Sequence, residues 1–190
     1  MESKGSLMNR MIWRHVRVRT LVILAASMAF GCAAKTLPEA AKFGQNKQIV
    51  ILLSQGEDVN VADVDGYTPL MWAVYENRLD TAKLLVDKGA KLDAQGGGKW
   101  TALHYAVDRN RPEIVNYLLE KGANPNIGDD EGWTPLHYAA SKRRTDIAKA
   151  LMDHKADVNA RTNAGQSPLS IARGYHADEI ERELKNRGGK

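Results

Sequence analysis

Three groups of side chains in this sequence could carry chemistry: a single thiol, a matched pair of imidazoles, and tryptophans and tyrosines at regular spacing. Cys32 is the only cysteine in 190 residues, so no disulfide can form within one chain. What remains open to it is covalent modification or burial as an inert thiol. His104 and His137 stand 33 residues apart in matching settings, Thr101-Ala102-Leu103-His104-Tyr105-Ala106 and Thr134-Pro135-Leu136-His137-Tyr138-Ala139. Metal ligands must converge on one point, whereas residues one repeat apart stand on neighbouring units, roughly 10 Å away. Their expected role is structural and no metal site is expected; His154 and His176 read as surface residues. The sequence has no Gly-x-Ser-x-Gly elbow and no His-Glu-x-x-His. Gly96-Gly97-Gly98 has neither a strand before it nor Lys-Ser/Thr after it, and reads as a flexible turn rather than a phosphate cradle. No catalytic residue and no cofactor is expected.

The spacing of 33 runs through most of the chain. Thr68, Thr101, Thr134 and Ser167 keep that step, as do Leu70, Leu103, Leu136 and Leu169, and Ala73, Ala106, Ala139 and Ala172. A fixed period of this length indicates stacked supersecondary units. Thr or Ser followed by Pro is a helix N-cap with proline at the first helical position, and Leu and Ala three apart then give a short inner helix a narrow apolar stripe. Pro112-Glu113 opens an outer helix in the same way, with Ile114, Val115, Leu118 and Leu119 at helical spacing. Gly56, Gly89 and Gly122 are placed to end outer helices in the left-handed region; the next position in the series is Lys155, at a strain of about 1 kcal/mol. Asn60, Asp93, Asn126 and Asn159 lead into the turns between units. The first cap lacks the Thr-Pro signal, and the last helix, near Asp178 to Leu184, is strongly charged; both ends read as caps.

These units resemble ankyrin repeats. The resemblance implies an all-α repeat solenoid, a helix-turn-helix stack with short β-turn fingers, in which the motif histidines tie neighbouring loops and helices. The expected organisation is an export signal over 1–31 and a repeat domain over 32–190. Within it lie a cap at 36–62, repeats at 63–95, 96–128 and 129–161, and a C-terminal cap at 162–190. By the same resemblance a protein partner docks on the concave face and finger turns, through Tyr67, Trp72, Tyr75, Trp100, Tyr105, Asp108, Arg109, Trp133, Tyr138 and Lys142. Tyr67, Trp100 and Trp133 precede the N-caps and are expected to be exposed, so that losing Trp100 and Trp133 together leaves folding intact. Trp72, Tyr105 and Tyr138 could instead fill space between helices.

The leader follows the plan of an export signal: basic Arg10 to Arg19, apolar Leu21 to Phe30, then Gly31-Cys32-Ala33-Ala34. The apolar run is shorter than the roughly 20 residues that span a bilayer. Gly31-Cys32 resembles the lipobox of bacterial lipoproteins, which implies acylation of Cys32. Ala29-Phe30-Gly31 also passes as an ordinary signal-peptidase site, so soluble export remains an alternative. The net charge of +4 belongs to the leader: from Ala33 onward 22 basic residues meet 22 acidic ones. A nucleic-acid partner is therefore not expected, nor is a small-molecule substrate. The expected function is a non-enzymatic protein-interaction module in the bacterial cell envelope, with outer-membrane anchoring through Cys32. The alternatives are an inhibitor or immunity-type partner of a toxin or envelope enzyme, and an accessory subunit completing an enzyme's active site.

Overall fold

Every inner helix begins where a hydroxyl side chain can take the place of a missing backbone acceptor. Thr68 Oγ1 accepts from the Met71 N–H at 3.3 Å, and Ser167 Oγ accepts from the Ser170 N–H at 3.3 Å. Pro69, Pro135 and Pro168 occupy first helical positions, where an N–H would have no partner. The computed structural model describes residues 34–190, so Cys32 and the leader lie outside the described residues. Five inner helices alternate with five outer ones over this range. The inner ones are α1 (Leu37–Lys42), α3 (Pro69–Tyr75), α5 (Ala102–Asp108), α7 (Pro135–Ser141) and α9 (Pro168–Gly174). The outer ones are α2 (Asn46–Ser54), α4 (Leu79–Asp87), α6 (Pro112–Glu120), α8 (Thr145–Asp153) and α10 (Asp178–Asn186). Among the described residues there are no strands.

Each inner helix packs on the next inner helix and on its own outer helix, giving two layers with the core between them. Leu70, Leu103, Leu136, Leu118, Leu151 and Leu184 are fully buried along this seam. No unit could bury that stripe alone, so adjacent units complete one another. The first cap lacks a Thr-Pro step, as the sequence reading has it, yet its helix is capped all the same. It does carry a cap signal, shifted by one residue: Thr36 caps α1 by accepting from the Glu39 N–H at 3.3 Å, with Pro38 in the first turn.

The loops are tied as regularly as the helices. Asn60 Oδ1 accepts from the Lys91 N–H at 2.7 Å, and Asp93 Oδ1 from that of Asn124 at 2.9 Å. Asn126 Oδ1 accepts from Asp157 N–H at 2.7 Å, and Asn159 Oδ1 from Lys190 N–H at 2.8 Å. Each link reaches 31 residues ahead, so these side chains clamp one unit to the next. At the C-terminal end α10 buries only Ile180 and Leu184 and holds its neighbour through Lys149–Glu179 at 2.8 Å and Arg187–Asp153 at 2.7 Å. These pairs are largely solvated and contribute little each.

Outer helices end in the left-handed region at Gly56, Gly89 and Gly122, with φ of 93°, 91° and 93°; Lys155 adopts φ 67° in the same place. Its backbone carbonyl still accepts from Asn126 Nδ2 at 3.0 Å, a bond that does not depend on the side chain. Lys155→Gly should therefore raise stability by roughly 0.5–1 kcal/mol. Thermal unfolding followed by circular dichroism should show a melting point a few degrees higher; an unchanged or lowered one would show that the strain is absent.

Candidate protein-binding face

The residue just before each inner N-cap and the fourth residue of each inner helix bring aromatic rings together across units. Tyr67 lies 4.8 Å from Trp72 and 5.3 Å from Tyr105 between ring centroids. Tyr105 lies 5.0 Å from Trp100, Trp100 4.9 Å from Tyr138, and Tyr138 5.2 Å from Trp133. Six rings thus form one unbroken series over three units, with Tyr75 edge-on to both Tyr67 and Trp72. Such contacts contribute about 0.5–1.5 kcal/mol per pair beyond burial. The series stops at the last unit, where Gln166 and Ile171 stand in register.

The sequence reading placed Tyr67, Trp100 and Trp133 at exposed finger positions, and the structure corrects this: all three are half-buried. Their rings are stacked on the neighbouring unit, so Trp100 and Trp133 cannot both be removed without loss of packing. Tyr105 is buried, at 6% exposure, beneath Tyr67, Tyr75 and Trp100. It supports the surface without presenting it. Trp72, Tyr75 and Tyr138 are half-buried, each offering part of a ring.

Two carboxylates that sequence reasoning did not single out as anchors hold this series in place. Asp63 Oδ1 accepts from the N–H groups of Asp65 and Tyr67 at 3.0 and 2.9 Å, closing the finger turn, while its Oδ2 accepts from the Trp72 indole N–H at 2.6 Å. Asp129, itself buried, repeats the arrangement with the N–H groups of Glu131 and Trp133 at 3.0 and 2.8 Å and the Tyr138 hydroxyl at 2.5 Å. Burial first, and then this bond, push the Tyr138 pKa upward. Gly96 stands between them in register. A Cβ there would meet the Gly66 carbonyl oxygen at 2.8 Å and Met71 Sδ at 2.9 Å, so the glycine run is a close-packed turn. With no carboxylate at that position, the Tyr105 ring lies against Tyr67 instead, and burial first, then the neighbouring Tyr67, push its pKa upward.

The imidazoles are structural ties. His104 Nδ1 accepts from the Thr101 backbone N–H at 3.2 Å, and its Nε2 lies 3.1 Å from the Trp133 carbonyl oxygen, to which it donates in the neutral form. His137 repeats this with Thr134 at 3.1 Å and the Gln166 carbonyl at 3.1 Å. Both rings are fully buried. Among the described residues no group of His, Cys, Asp or Glu could hold a metal ion.

Two cations lie over the rings, Arg109, which the sequence reading named, and Lys42, which it did not. Arg109 Cζ lies 3.8 Å from the Tyr75 ring centroid and Lys42 Nζ 4.1 Å from that of Trp72. Lys142 Nζ pairs with Asp108 at 3.1 Å. Arg109 and Lys142 are exposed, and Asp108 is half-buried.

Comparison with known families settles what this architecture is. A model described as ankyrin repeats in three copies matches residues 37–129, and one of ankyrin repeats in many copies matches residues 123–172. The chain belongs to the ankyrin repeat family. Similar proteins include the ankyrin repeat protein FPV219 of fowlpox virus, 50% identical over 46 residues, 24% of this chain and 11% of the relative. The palmitoyltransferase Hip14 of Drosophila melanogaster is 37% identical over 59 residues, and the palmitoyltransferase akr1 of Neurospora crassa 35% over 66. These alignments take in 31% and 34% of this chain and 9% of each relative. The chain thus spans about a tenth of the length of these relatives, and what it shares with them is ankyrin repeats. An ankyrin repeat stack is a protein-interaction module, and the half-buried rings bordered by exposed cations are the candidate contact surface on this one.

Two expectations follow from the geometry. Asp129→Ala strands the Tyr138 hydroxyl and two finger N–H groups, a loss of roughly 2 kcal/mol, whereas exposed Asp130→Ala should change stability little; paired denaturant titrations compare them directly. Burial holds the His104 and His137 pKa values below 6.5, the value set by desolvation against weaker raising contributions from their carbonyl partners and Asp129. The unfolded chain therefore takes up protons more readily than the folded one, so stability is complete above about pH 6.5 and falls as the pH drops below it. Protonation of Nδ1 also removes the bond to the cap N–H. Denaturation midpoints should decline between pH 7 and pH 5, and a His104→Gln, His137→Gln variant should flatten the decline; equal slopes would assign it to other groups.

Proposed function

We propose that this protein is a non-enzymatic docking module of a bacterial cell envelope, exported by its leader, anchored through acylated Cys32, and engaging one protein along its aromatic face. The observation that carries the docking surface is the six-ring series with Arg109 and Lys142 at its border. Aromatic and arginine side chains dominate interface energetics, because they combine large contact area with little rotamer freedom and directional polar tips. Rings already fixed by stacking and by Asp63 and Asp129 lose little further entropy on binding. The anchor is supported by the basic, apolar and small-residue segments that precede Cys32. One acyl chain holds a protein marginally and two or more hold it firmly, at about 0.8 kcal/mol per buried methylene.

Arg109 and Lys142 are exposed, so changing them tests binding apart from folding. Arg109→Ala combined with Lys142→Ala, which removes one ring contact and one exposed ion pair, should lower the melting point by only a few degrees and abolish recovery of the protein captured by the parent chain from an envelope fraction. Retained capture with both changes would place the interface elsewhere. Mass measurement of the mature N-terminus should find it at Cys32 carrying acyl groups; a chain beginning elsewhere, or an unmodified cysteine, would overturn the anchor.

A further inference from the structure

The first unit differs from the others in the polarity of its outer helix. α4, α6, α8 and α10 each carry at least two acidic side chains, whereas α2 carries none. In their place α2 exposes Val50 at 46% and Ile51 at 47%, and the turn before it exposes Phe43 at 55%. In later units the position equivalent to Ile51 is half-buried, as where Tyr117 lies under Lys83 of the unit before, whereas that of Phe43 stays exposed even in the last unit, where Tyr175 is at 53%. Ile51 therefore marks the open end of the described stack, with Phe43 and Val50 beside it.

What could cover the end is limited by the chain that leads to it. The α1 cap at Thr36 is four steps along the chain from Cys32, and fully extended that stretch reaches at most roughly 14 Å. An acyl group on Cys32 therefore holds the first unit against the bilayer. We propose that this end of the stack is a lipid-contact surface, with Phe43, Val50 and Ile51 resting in the headgroup region of a phospholipid bilayer and Lys47 beside them engaging lipid phosphate. The proposal rests on the acyl anchor set out under Proposed function. Apolar side chains with a neighbouring cation, on a helix without acids, suit a phospholipid surface, because the interface takes up apolar area while its phosphates attract lysine and repel carboxylates. The opposite end of the stack, with Asp178, Glu179, Glu181 and Glu183 on α10, is unsuited to it.

The test places a photoreactive benzoylphenylalanine at position 51 of the full chain in intact cells, and at position 116 on the exposed face of α6 as reference. A phospholipid adduct at 51 and none at 116 is the expected result. A protein adduct at 51, a crosslink to a second copy of the chain, or no adduct there overturns the contact. The N-terminal mass is read from the same sample. Acylated Cys32 with no lipid adduct at 51 removes the contact and leaves the anchor standing, whereas a lipid adduct on an unacylated chain supports the contact and removes the anchor.

Discussion

Each unit of this stack is incomplete without the next, and that constraint governs everything else in the molecule. A short inner helix with one Leu and one Ala stripe buries too little surface to be stable alone, so the free energy of folding resides largely in the contacts between units. Apolar packing between units is supplemented by directional links. His104 and His137 reach 29 residues ahead to a finger carbonyl, while Asn60, Asp93, Asn126 and Asn159 reach 31 ahead to a loop N–H. Packing supplies affinity between neighbours, and these bonds fix their register.

The aromatic face is a product of the same constraint. The aromatic rings are brought to 5 Å spacing because adjacent units are, and they hold a shared orientation because Asp63 and Asp129 serve finger and ring at once. A carboxylate that closes a turn with one oxygen and orients a Trp or Tyr with the other couples loop shape to ring position. Core and candidate contact surface are consequently the same side chains seen from two sides. The last unit lacks these devices: Ser170 replaces the histidine, Gln166 and Ile171 replace the rings, and Lys155 is held at positive φ just before it. Besides packing and the ion pairs of α10, it is joined to its neighbour through Asn163 Nδ2, which donates to the Asp130 carbonyl at 2.9 Å, and through the Gly188 carbonyl, which accepts from Asn159 Nδ2 at 3.2 Å.

Most of the fold was legible in the sequence, because the period of 33 carries caps, glycines and apolar stripes in fixed places. Thr68, Thr134 and Ser167 cap as expected, Gly56, Gly89 and Gly122 take positive φ, and the two histidines tie neighbours. The face was less legible. Its exposure was overestimated because a single unit shows a ring at a finger base, while the ring that covers it belongs to the next unit. Asp63 and Asp129 look like ordinary finger acids in the sequence; the available signal was their spacing of two repeats, each nine residues before a Trp or Tyr. The clamping role of Asn60, Asp93, Asn126 and Asn159 depends on loop approach in space, which periodicity alone does not give.

The central claim is that a partner occupies the aromatic face in the cell. Hydroxyl-radical footprinting of the chain in intact envelopes and after purification tests it directly, with exposed Tyr175 in the last unit as internal reference. The account predicts that oxidation of Trp100, Trp133 and Tyr75 is suppressed in the envelope relative to the purified protein while that of Tyr175 is unchanged. Equal oxidation of the three in both states, or suppression confined to Tyr175, would contradict it.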